Sequence, residues 1–100
     1  REDVVFHCPP KLRLVLEPGT RVSLFPMRPV SGHSAGLRWP IDGLDFAPGA
    51  RAGTSNEAAE ARVDLAMEGT GMLVILPRAA LASAVTAVQA AADARWTALA

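Results

Sequence analysis

Cysteine is all but missing from this 100-residue chain. Cys8 stands alone, so no internal disulfide can form, and a reducing cytoplasm is the expected setting. Excess charge of either sign is missing too. Ten basic and ten acidic residues cancel and are scattered singly, leaving no electrostatic footprint for nucleic acid or an anionic membrane surface. Long apolar runs are absent. The longest, Met72-Leu73-Val74-Ile75-Leu76, falls far short of the roughly 20 residues a bilayer-spanning helix needs. The opening Arg1-Glu2-Asp3 has neither a methionine nor an apolar h-region, so no secretory signal is expected and the chain reads as a piece of a longer polypeptide.

Most of the chemistry that short motifs announce is also wanting. There is no phosphate-binding loop and no Gly-x-Gly-x-x-Gly before a helix. Asp42 belongs to a turn and Asp45 to the strand after it, a poor pair for magnesium. His7, Cys8 and His33 are the only zinc-type nitrogen and sulfur ligands, and a closed zinc site needs four. His7 is read instead as a strand-end histidine and Cys8 as a small buried hydrophobe. Ser31, His33 and Ser34 are neighbours in a small polar stretch, which does not make a catalytic triad. The residues therefore assign no catalytic group and no metal ligand.

What remains is a packed domain. Half the residues are hydrophobic and 20% are charged, enough for one core in a chain of this length. The run Val4-Val5-Phe6 is followed by a Pro9-Pro10 break. Leu12, Leu14 and Leu16 then alternate with Lys11 and Arg13, the period of a half-buried strand. After the Pro18-Gly19 turn, Val22 and Leu24 share an inner face until Pro26 and Pro29, and residues 31–35 read as a mobile loop. Trp39 and Ile41 before Asp42-Gly43, with Leu44 and Phe46 after it, predict a hairpin with Trp39 in the core. Ala61, Val63 and Leu65 predict another half-buried strand, and residues 72–76, apolar on both faces, a central one. Beyond Pro77 lie eleven of the nineteen alanines, and Leu81, Val85, Val88, Ala92, Trp96 and Leu99 recur at helical spacing as the stripe that would pack. Trp96 reads as an anchor on that stripe. The sum is a mainly β fold, an antiparallel β-sandwich of about six or more short strands over 1–76, with an amphipathic helical extension of the same domain over 77–100.

One short segment carries polar groups in a suggestive pattern. Gly53-Thr54-Ser55-Asn56-Glu57 sets two hydroxyls and a carboxamide side by side after a glycine. Such groups suit a neutral heteroaromatic ligand that both donates and accepts hydrogen bonds. They equally suit a turn or bulge whose side chains bond their own backbone.

Four blocks, in order, resemble bacterial thiamine pyrophosphokinase. They are Val22-Ser23-Leu24-Phe25-Pro26-Met27, Gly36-Leu37-Arg38-Trp39-Pro40-Ile41, Gly53-Thr54-Ser55-Asn56-Glu57 and Gly71-Met72-Leu73-Val74-Ile75. In that family they read approximately V-S-L-x-P-L, G-L-x-Y/W-P-L, G-x-S-N-E and G-x-L-L-V-I. The resemblance spans most of residues 11–76 and omits the helix. It implies a thiamine-binding C-terminal sandwich that works as a homodimer beside an N-terminal α/β domain, absent here, which binds ATP and Mg2+. It places Ser55, Asn56 and Thr54 at the thiamine site, Ser55 on the aminopyrimidine. The implied reaction moves pyrophosphate from ATP to the hydroxyl of thiamine, giving thiamine diphosphate and AMP, with this fragment inactive by itself. A non-enzymatic β-sandwich serving for binding or dimerisation is the alternative, and a kinase that has lost its catalytic half is a third reading.

Overall fold

The computed structural model describes residues 2–99, with side chains as far as 94. Eight strands form two antiparallel sheets. Strands β1 (Asp3–His7), β3 (Arg21–Pro26), β6 (Gly53–Glu57) and β8 (Met72–Pro77) make one, in the order β1-β8-β3-β6. Strands β2 (Lys11–Val15), β4 (Val30–Ala35), β5 (Asp45–Phe46) and β7 (Arg62–Glu68) make the other, in the order β2-β7-β4-β5. We call them the β8 sheet and the β7 sheet. A 3-10 turn (Arg78–Ala80) leads into the helix α1 (Leu81–Leu99).

The alternation read in the sequence decides which residues meet between the sheets. Leu12, Leu14 and Leu16 and, opposite them in register, Val63 and Leu65 are buried from the β7 sheet. Val22, Leu24, Met72, Val74 and Leu76 are buried from the β8 sheet. Each such side chain contributes about 1.5–3 kcal/mol through removal from water. Phe46 and Ile41 complete the core beneath the edge formed by β5 and β6. Strand β8 lies inside its sheet, but only Met72, Val74 and Leu76 are fully covered; Leu73 and Ile75 face outward half-buried, so the expected burial on both sides is only partial.

Residues 31–35 do not form a loop. They belong to β4, which pairs with β7 from Ser31↔Glu68 to Ala35↔Asp64. A strand of small residues fits because its neighbour comes close. A Cβ on Gly32 would lie 2.5 Å from the Ala66 carbonyl oxygen. Gly36, at φ 92°, would put one 2.2 Å from that of Arg62.

The expected hairpin is half right. The Asp42-Gly43 turn forms, with Gly43 at φ 80° and the Leu44 N–H donating to the Ile41 carbonyl at 3.1 Å. Its two arms do not pair. Asp45 and Phe46 join Ser31 and Val30 of β4 instead. The arm before the turn has no free ladder donors. Pro40 has no N–H, the Ile41 N–H donates to Ser34 Oγ, and both backbone groups of Trp39 bond Asn56. Trp39 is correspondingly not core: it is 52% exposed.

Helix α1 closes the opposite edge against β2, with its faces reversed from the expected stripe. Ala84 and Ala87, with Ala80 of the preceding 3-10 turn, enter the core, whereas Leu81, Val85 and Val88 are exposed. Alanine lets the helix axis come close to the strands, and the larger side chains are turned away by the same approach. The side chains of Trp96 and Leu99 lie outside the described residues.

Candidate functional site

The segment 53–57 is an edge strand with a bulge in it. Val22 pairs with Asn56 and Leu24 with Gly53, so Thr54 and Ser55 together oppose the single residue Ser23. Closing that mismatch puts Ser55 at φ 65°, the one positive value among non-glycine residues of the described chain. A β-carbon there costs roughly 1–2 kcal/mol. Its N–H is tied down at 3.2 Å by the buried hydroxyl of Ser23, while the Ser55 and Thr54 side chains stay exposed. Strained backbone with free hydroxyls on it is a reason to look for function.

Asn56 points the other way and is 5% exposed. Its Oδ1 accepts the N–H of Trp39 at 3.2 Å and of Glu57 at 2.9 Å, and its Nδ2 donates to the Trp39 carbonyl at 2.7 Å. One amide hydrogen is left over. The carboxamide thus replaces the strand partner that Trp39 lacks and fixes that residue's backbone from both sides. The indole is displayed outward by this clamp. The Arg38 guanidinium sits 4.8 Å from the ring centroid and also meets Glu57 at 3.6 Å.

Beside the indole is a cleft of about 190 Å³, whose walls include Trp39, Ile41, Phe46, Arg51, Thr54 and Asn56. Of the three residues expected at a thiamine site, the structure sets Thr54 and Asn56 in the cleft wall and Ser55 next to them on the bulge. Trp39 was expected in the core rather than stacked on a ligand, and Arg38 and Arg51 were given no role. The signal available for Trp39 was Pro40, which already barred its segment from an inner ladder.

A second polar cluster, outside the cleft, ties the Asp42-Gly43 turn to β4 and β7. Asp42 accepts the Ser34 N–H at 3.0 Å through Oδ1 and meets His33 Nδ1 at 3.1 Å through Oδ2, while His33 Nε2 meets Glu68 at 3.2 Å. Hydrogen bonds to Asp42 and then Glu68 raise the His33 pKa, and the Ser34 N–H, then His33, lowers that of Asp42. With both ring nitrogens facing carboxylates, His33 is no base for either neighbouring serine. Burial pushes the Cys8 thiol up to about 12, which makes it inert at neutral pH. Among the described residues no three His, Cys, Asp or Glu side chains converge to hold a metal ion, and no helix is long and apolar enough to cross a membrane.

No protein-family model matches the chain, and no curated protein matches it in sequence. Solved structures do. The thiamine pyrophosphokinase from Bacillus subtilis superposes with a TM-score of 0.61 at 17% identity, over 74% of this chain and 36% of that one. A thiamin pyrophosphokinase family protein from Enterococcus faecalis gives 0.63 at 17% identity, over 78% of this chain and 38% of that one. The likeness is one of fold. The chain spans little more than a third of the length of either neighbour.

Proposed function

We propose that the chain is the thiamine-binding, dimer-forming C-terminal domain of a thiamine pyrophosphokinase. The observation that carries this reading is the junction of a strained, hydroxyl-bearing bulge with a clamped, outward-facing indole. Thr54, Ser55 and the spare Asn56 hydrogen supply donors and acceptors of the kind an aminopyrimidine needs. Trp39 offers its ring face for stacking, on a backbone that Asn56 already holds in place. The resemblance of the four sequence blocks and the likeness of fold support the same reading from independent directions.

In this reading residues 1–76 are the sandwich and 77–100 its helical extension. A separate α/β domain, outside this sequence, binds ATP and Mg2+, as the resemblance implies. The complete protein is cytoplasmic and transfers pyrophosphate to the hydroxyl of thiamine. When bound, the metal and nucleotide supply charge neutralisation and the leaving group. This domain's share is to bind the acceptor, orient it through Trp39, Thr54 and Ser55, and provide contacts for a second subunit.

The test is steady-state kinetics of the complete gene product carrying Ser55→Ala. Loss of one ligand hydrogen bond lowers kcat/KM for thiamine by about tenfold, with ATP parameters unchanged. Unaltered thiamine kinetics in a folded variant would remove Ser55 from the site.

A further inference from the structure

A larger cavity, of about 590 Å³, lies on the other sheet from Ser55, between α1 and the outer face of the β7 sheet. Strand register lays out its floor as two rows, Lys11–Ala66–His33 and Arg13–Asp64–Ala35. Leu12 and Leu65, which alternate with these residues, point into the core. The roof is Ala87, Ala90, Ala91 and Ala94 of α1. A gap between helix and sheet is ordinarily filled by large interdigitating side chains. Here only methyl groups face one another across its middle, so the gap stays open, at a size usual for small-molecule sites.

The charges around it do not balance. Asp64 is shared between Arg13 at 2.9 Å and Arg62 at 3.2 Å, and His33 lies between Asp42 and Glu68. Among the lining side chains, Lys11 and Arg13 stand against a single carboxylate, Asp64. The surplus charge belongs to Lys11, which makes no ion pair among the described residues. An unmatched ammonium on the rim of an apolar slot favours a ligand with one negative charge and an apolar body.

We propose that this cavity binds a small organic monoanion, its apolar body between the alanines of α1 and the β7 sheet and its anionic head on Lys11. Thiamine, a cation, has the wrong charge for it, so the site is separate from the one beside Ser55.

Fluorescence titration of the chain with anilinonaphthalene sulfonate tests this, the uncharged phenylnaphthylamine serving as its control. One saturable site is expected for the sulfonate, with the neutral dye at least about tenfold weaker. Lys11→Gln weakens the sulfonate by about tenfold and leaves the neutral dye unchanged. Ala90→Leu fills the slot from the helix side and abolishes binding, whereas Val85→Ser, on the outward stripe of α1, does not. Octanoate or naphthoate then displaces the sulfonate, telling an aliphatic from an aromatic body. Sulfonate binding that survives Lys11→Gln and Ala90→Leu but is lost in Val85→Ser would mean the dye reads exposed apolar surface, and the assignment would fall. Displacement by neither acid, or no binding at all, would overturn it too. Should Ala90→Leu fail to fold by circular dichroism, the exposed Lys11→Gln variant decides alone.

Discussion

The two open edges of the sandwich are sealed by opposite means. At the β5/β6 edge the backbone cannot pair, because Pro40 interrupts the segment and the β6 bulge throws the register. Polar side chains make up the deficit: Asn56 for Trp39, Ser34 for Ile41, Asp42 for Ser34. At the β1/β2 edge a helix with its own backbone bonds needs no such help, and the buried Ala84 and Ala87 bring its first half against β2. An edge held by specific hydrogen bonds can display a large aromatic ring to solvent, as it does Trp39. An edge held by methyl groups gains stability but presents little chemistry at its point of contact. That is why the functional reading attaches to the first edge.

The difference can be broken from either side. Asn56→Ala leaves three backbone groups without their partner, and we expect a loss of about 2–4 kcal/mol in urea denaturation. The Trp39 emission should shift with it as the clamp is released. At the other edge Ala84→Leu forces extra methylenes against β2 and costs about 1–3 kcal/mol by the same measurement. Trp39→Ala removes a mostly exposed ring, so stability changes by less than about 1 kcal/mol while thiamine affinity of the complete protein collapses. A large stability loss there would return Trp39 to the core. The smallest effect concerns the His33 cluster. His33 is raised above 6.5 by its carboxylates, so its contribution is complete below that value and fades as pH climbs through the folded pKa. Asp42, lowered below 3.8, contributes above that value and ceases to as pH falls through its folded pKa. The clip is therefore intact from roughly pH 4 to somewhat above pH 6.5. An NMR titration of His33 should give a pKa above the free value, falling back toward it in Asp42→Asn.

The same contrast explains what was legible in the sequence. Strands β2 and β7 announced themselves because leucine and valine alternate with charge, and their inner faces make the core. Strand β4 did not, since its inward positions beyond Val30 are Gly32 and Ser34, chosen for closeness to β7 rather than for hydrophobicity. The helix was plain from composition, but both of its faces are apolar. Only the distance to β2 decides that Ala84 and Ala87 go inside. Around the candidate site, the polar run at 53–57 was visible and its bulge was one of two readings. The partnership of Asn56 with Trp39 was not, because it joins residues 17 positions apart through a backbone that only the folded chain brings together.

The most direct measurement is AMP release from ATP and Mg2+ by the complete gene product, with and without thiamine. AMP release that depends on thiamine and falls sharply in Trp39→Ala is the expected result. A folded product that released no AMP in the presence of thiamine would contradict it, and would leave the chain a sandwich that shares a fold with the kinases and not their reaction.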